Sequence, residues 1–135
     1  MFLKELSPPF GDYAVMSSGE HSTVLLVEDE VLIRIIAADA LEDSGFKVLE
    51  AANAAEALQI LDEHEEVAVL FTDINMPGEM DGLALARHVS EERPEIKVIV
   101  TSGKQWLDSS SLPEAGMFLP KPYRASQLAA MLGAW

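Results

Sequence analysis

The chain contains no cysteine. That excludes a disulfide framework, a thiolate metal site and a cysteine nucleophile. No apolar run approaches the length of a membrane span. The N-terminus does not read as a signal peptide, because Lys4-Glu5 interrupts its apolar stretch and Pro8-Pro9 breaks it. Basic residues are scarce: 9 Lys and Arg stand against 23 Asp and Glu, for a net charge of -14. A nucleic-acid backbone or an anionic membrane surface needs clustered cations, so neither is expected as a partner. There is also no Gly-rich run ending in Gly-Lys-Ser/Thr, which excludes a P-loop nucleotide enzyme. These absences predict a cytoplasmic protein. Solvated helix faces account for much of the acidic surplus. The surplus also suits a site that gathers a divalent cation.

What is present fits one domain with one core: 135 residues, 49% hydrophobic and 24% charged. The first 22 residues differ from the rest. They hold Pro8-Pro9, Gly11 and Ser17-Ser18-Gly19 among scattered apolar residues, with no sustained period. Residues 1–22 are therefore expected to be a loosely ordered tail, and 23–135 the domain.

From Thr23 onward short apolar runs alternate with helical patterns. Val24-Leu25-Leu26-Val27, Phe46 to Leu49, Val67 to Thr72, Ile96 to Val100 and Gly116 to Leu119 read as strands. Helices are expected over Val31 to Ser44, Asn53 to His64, Asp81 to Glu92 and Arg124 to Leu132. In the first, Leu32, Ile35, Ile36, Ala40 and Leu41 recur at three- and four-residue steps, and Gly45 stops the helix. Asn53 and Asp81 are the expected N-caps of the next two. Lys104 to Glu114, with Ser109-Ser110-Ser111 and Pro113, predicts at most a short, poorly formed helix. Short buried strands separated by helices imply an α/β, doubly wound, three-layer domain around a five-stranded parallel sheet.

Asp73 is the most informative residue. It closes the apolar run Val67 to Thr72 and precedes the turn Ile74-Asn75-Met76-Pro77-Gly78. In open α/β sheets ligands bind at the carboxyl ends of the strands. Glu28-Asp29, Thr101-Ser102-Gly103 and Lys121-Pro122 fall at that same edge. Neighbouring strands lie roughly 4.8 Å apart, so carboxylates at adjacent strand ends converge. Glu28, Asp29 and Asp73 would place their negative charges in one pocket, which calls for a cation. Mg²⁺ fits, since it takes oxygen ligands and is held by one or two carboxylates plus phosphate. Each piece also has a plainer reading. Asp29 can cap the helix that starts near Val31. Thr101 can satisfy a turn, and Lys121 can be a solvated loop lysine. A cis peptide before Pro122 would instead turn that lysine back over the strand ends.

The ordered set Val27-Glu28-Asp29-Glu30, Thr72-Asp73-Ile74-Asn75-Met76-Pro77-Gly78, Asp81-Gly82, Thr101-Ser102 and Lys121-Pro122 resembles the response-regulator receiver domain, a CheY-like module. The resemblance covers about Thr23 to Leu132. It implies a flavodoxin-like fold with strand order 2-1-3-4-5. It implies that a histidine kinase or histidine phosphotransfer protein gives a phosphoryl group to Asp73. Mg²⁺ is then held by Glu28, Asp29, Asp73 and the backbone carbonyl of Asn75. Thr101 and Lys121 contact the phosphoryl oxygens, and Phe118 takes the aromatic switch position. The first helix near Glu30, Val31 and Arg34 would meet the phosphodonor. Strand five would face an unidentified protein target. No output domain follows the last helix, so a stand-alone receiver, monomer or weak dimer, is expected.

Three departures bear on that reading. The loop from Met76 to Gly82 is one residue longer than is common in the family, Glu28 stands where many members have Asp, and Phe118 carries no hydroxyl. Two alternatives remain. One is a pseudo-receiver that binds partners without phosphorylation. The other is an aspartate-based hydrolase, which resembles a pattern with a second Asp two residues on, where this chain has Asn75.

Overall fold

The computed structural model describes residues 22–103, 112–113 and 116–133. The tail expected over 1–22 lies almost wholly outside the described residues, as does most of the weak segment 104–114. The elements run β1 (Thr23–Val27), α1 (Val31–Asp43), β2 (Lys47–Ala51), α2 (Ala54–Glu63), β3 (Val67–Asp73), α3 (Gly82–Glu92), β4 (Lys97–Ser102), β5 (Gly116–Pro120) and α4 (Ala125–Gly133). All pairings are parallel, in the order β2-β1-β3-β4-β5. The strands, their order and the doubly wound class agree with the expectation to within a residue or two at each end.

The strands are apolar on both faces because helices cover both. Leu25, Val27, Leu70, Val98 and Val100 point to a core shared with α2 and α3. Val24, Leu26, Phe71, Ile99 and Leu119 point to one shared with α1 and α4. One irregularity interrupts the alternation. Thr23 pairs with Val67 but Val24 pairs with Val69, so β3 carries one extra residue at its base. Above it the register is regular and brings Asp73 opposite Thr101.

The expected caps form. Asn53 accepts from the Glu56 N–H and Asp81 from the Ala84 N–H. Gly45, at φ 98°, ends α1 in the left-handed region that glycine enters without strain. Of the apolar stripe of α1, only Leu41 is buried in the core. The buried residues of the helix are Ala37, Ala38 and Leu41, whereas Val31, Leu32, Ile35 and Ile36 are 56%, 73%, 47% and 68% exposed. Two small alanines let the helix lie close to the sheet beside Leu41, and Val31, Leu32, Ile35 and Ile36 are left outside.

Gly82 fixes the approach of α3 to the site. Its N–H donates to the carbonyl of Ile74, and a methyl group on its Cα would overlap the carbonyl of Asp73. The obstacle is backbone, so it cannot swing aside. Gly82→Ala is expected to cost about 3 kcal/mol, the upper part of the usual range for overpacking. A urea-denaturation midpoint within error of wild type would show that the helix is free to shift.

Candidate functional site

Parallel pairing gathers the carboxyl ends of β1, β3, β4 and β5 at one edge. There Glu28 and Asp73 are buried, at 3% and 5% exposure, and Asp29 is half-buried. Oxygens of all three lie within 4.8 Å of one another. Lys121 Nζ sits 3.2 Å from Glu28 Oε1 and 3.4 Å from Asp73 Oδ2. The Lys121–Pro122 peptide is cis. Backbone donors complete the frame: the Glu30 N–H reaches Glu28 Oε2 at 3.1 Å, and the Asn75 N–H reaches Asp73 Oδ1 at 3.3 Å.

Burial dominates the electrostatics. It pushes the Glu28 carboxyl above the usual range; the Glu30 N–H and Lys121 oppose this, while the Asp73 charge adds to it. Burial also raises Asp73, against the pull of Lys121 and the Asn75 N–H. Burial lowers Lys121, but the two carboxylates beside it outweigh that and leave it above its ordinary value. Among the described residues one ammonium therefore faces three carboxylates, too few to satisfy them. A hard divalent cation suits the remainder: every donor is oxygen, and neither imidazole nor thiolate belongs to the cluster. The donor set thus fits Mg²⁺, with Glu28, Asp29 and Asp73 as the groups able to hold it.

The other expected residues divide into two groups. Thr101 stands beside Asp73 in the sheet, buried, and its Oγ1 has no hydrogen-bond partner among the described residues. Phe118 is half-buried next to Val100 on β5 and packs on the α2/α3 core. Glu30 and Val31 are exposed at the start of α1. Arg34 is turned inward instead. Its Nη1 donates to the Glu28 carbonyl at 2.7 Å and its Nε lies 3.3 Å from Glu50, so it braces the loop carrying the acids. Asp29 does not cap α1: Glu30 takes the N-cap position without a side-chain bond.

Sequence reasoning missed two contacts. Tyr123 packs edge-on against Phe71, with ring centroids 5.6 Å apart. Burial, with Glu28 and Asp73 nearby, pushes its hydroxyl up to about 12. Only its place two residues after Lys121 hinted at this. Asn75 Nδ2 donates to Ser102 Oγ at 3.0 Å. Both residues stood in the motifs, but nothing in the sequence paired them.

A 2-1-3-4-5 parallel sheet with this acid cluster, lysine and threonine at its carboxyl edge defines a CheY-like receiver fold. The sequence profile described as the response regulator receiver domain matches residues 24–133, and the chain belongs to that family. "Sensor kinase CckA" of Brucella abortus (strain 2308) is 43% identical over 112 residues, 80% of this chain but 12% of that kinase. "Response regulator receiver protein CpdR" of the same organism is 36% identical over 108 residues, 78% of this chain and 88% of that protein. Among solved structures, a response regulator receiver protein from Sinorhizobium medicae WSM419 superposes with a TM-score of 0.79 at 28% identity, covering 87% of this chain and 95% of that one. The receiver domain of the hybrid histidine kinase CckA gives 0.71 at 34% identity, covering 83% and 96%.

The raised carboxyls have a consequence for stability. A carboxyl whose folded pKa exceeds its unfolded value stabilises the fold at low pH and loses that contribution as pH rises through the folded value. Asp73→Asn should therefore melt above wild type at pH 7 in EDTA, and the difference should close as the pH falls toward the ordinary Asp value of 3.8. A wild-type melting temperature equal to or above that of the variant at pH 7 would mean that Lys121 fully compensates the buried charge.

Proposed function

We propose that this receiver domain is a phosphoacceptor switch in two-component signalling, with Asp73 as the acceptor. Asp73 attacks phosphorus in line: its Oδ–P bond forms as the bond from phosphorus to the donor's histidine nitrogen breaks, and the imidazole leaves with that electron pair. The observation that carries this reading is Asp73 itself, a buried carboxylate at a strand end with an ammonium 3.4 Å away and two more carboxylates gathered beside it. Phosphoryl transfer rests mainly on positioning and charge stabilisation. Lys121 offsets charge on the transferred group, and the Thr101 hydroxyl, without a partner among the described residues, can bond one of its oxygens. Mg²⁺, held by Glu28, Asp29, Asp73 and the Asn75 carbonyl, would supply charge neutralisation at the same oxygens. Apart from its own phosphorylation and slow dephosphorylation, the chain catalyses nothing in this reading.

Output follows from movement. The group adds roughly two negative charges and strong acceptors at the sheet edge. Thr101 is drawn toward it, and Phe118 fills the space behind. The surface of β5 then changes for an unidentified protein target. Input is read at α1, where four exposed aliphatics lie beside Glu30. An apolar patch rimmed by charge is suited to a protein partner, here a histidine kinase or histidine phosphotransfer protein. The unit is taken as residues 23–135 behind a tail, cytoplasmic, monomeric or weakly dimeric.

Intact-mass analysis after incubation with acetyl phosphate or phosphoramidate tests the chemistry. The expected result is one phosphoryl adduct that needs both Mg²⁺ and Asp73 and disappears in Asp73→Asn. A folded, Mg²⁺-binding chain that takes no adduct from either donor or from a phosphorylated phosphotransfer protein would favour the pseudo-receiver. A phosphoryl mimic should also shift the NMR resonances of Phe118 and of residues 102–114; unmoved resonances would remove the Thr101–Phe118 coupling. At the input face, Leu32→Glu should slow transfer from a phosphotransfer protein about tenfold or more, the loss of one well-packed apolar anchor. Transfer from acetyl phosphate should slow far less, and equal slowing with both donors would place the docking surface elsewhere.

A further inference from the structure

One side-chain contact joins the loop after Asp73 to the end of β4. Asn75 Nδ2 donates to Ser102 Oγ at 3.0 Å, across 27 positions of sequence. The two ends of this bond differ in surroundings. Ser102 is buried, at 2% exposure, and its carbonyl accepts from the Lys121 N–H at 3.1 Å. It is a fixed post at the end of β4. Asn75 is exposed, as are Pro77, Gly78 and Glu79 after it. Water would satisfy the Asn75 amide equally well, so folding does not require the bond. What the bond does is hold the start of an exposed loop against the sheet. Together with the Asn75 N–H on Asp73 Oδ1, it fastens this residue at both its backbone and its side chain.

We propose that Ser102 is a positioning residue for the divalent-cation site. Its hydroxyl holds the Asn75 side chain and thereby presets the Asn75 peptide, whose carbonyl would be the backbone ligand. This rests on the cation site assigned above. A ligand already in place leaves less ordering to be done when the cation arrives, and groups behind the ligands tune affinity in this way. The contact is one neutral hydrogen bond, so its loss should weaken binding about two- to tenfold.

Calorimetric titration of MgCl₂ into the unphosphorylated full chain tests this without any phosphoryl chemistry. Ser102→Ala removes the acceptor, and Asn75→Ala removes the donor from the exposed side, where folding is not at risk. Each should bind Mg²⁺ about two- to tenfold more weakly than wild type. The double variant should lose less than the sum of the two single losses, because both changes delete the shared contact. Melting in EDTA should be the same for wild type and Asn75→Ala. Wild-type affinity in both single variants, or losses that simply add, would overturn the role given to Ser102. A wild-type chain that takes up no Mg²⁺ would overturn the cation site itself, and this inference with it.

Discussion

The crowding of carboxylates at one sheet edge is the constraint on which the rest of this molecule depends. Glu28 and Asp73 are held in the protein interior with Asp29 beside them and, among the described residues, a single ammonium, Lys121, between. Burying charge is unfavourable unless it is matched, and here the match is incomplete, as the raised carboxyls record. The fold tolerates this because everything around the cluster is firmly built. Backbone donors from Glu30 and Asn75 reach the two buried acids, Arg34 grips the Glu28 carbonyl, and α3 presses a glycine against the Asp73 carbonyl. The energy left unsatisfied is what makes the edge receptive, because a cation or a rearranged charge has something to gain there.

Topology makes the crowding achievable. With β3 central and β1 beside it, the ends of both strands open on the same crevice, and right-handed crossovers send the helices to both faces. Each strand contributes to a core on either face of the sheet, so the strands must be apolar on both sides. That is why the chemistry had to be placed at strand ends and in the loops beyond them. β4 and β5 then bring Thr101 and Lys121 to the cluster from one side, while α1 leaves Val31, Leu32, Ile35 and Ile36 in solvent on the other.

Most of this was legible in the sequence, for physical reasons. Strands buried on both faces show as unbroken apolar runs, and polar residues that stop such runs stand out. Asp73, Glu28-Asp29, Thr101 and Lys121 were all found in that way. The caps at Asn53 and Asp81 were legible because a short acceptor before an apolar period has one common use. The orientation of α1 was not. A helical period shows that apolar residues share a face, yet it does not show whether the face turns inward, and here Ala37 and Ala38 occupy the interior. Arg34 was read as a surface residue because its partner is a backbone carbonyl, which carries no sequence signal. The bond between Asn75 and Ser102 was hidden for a related reason: polar residues at loop starts are common, and pairing them requires the register of β3 against β4.

The extra residue at the base of β3 has one more implication. It lies where Thr23 meets Val67, at the end of the sheet away from the acids, and every pairing above Val24 and Val69 is regular. Side chains alternate along a strand, so a change of one residue within the strand would normally exchange its faces up to the tip. Here the irregularity confines that exchange to the lowest pair. The bulge thus acts as slack in the chain. Variation in the length of the α2–β3 connection can be absorbed there, and the alignment of Asp73 with Thr101 stays insulated from it.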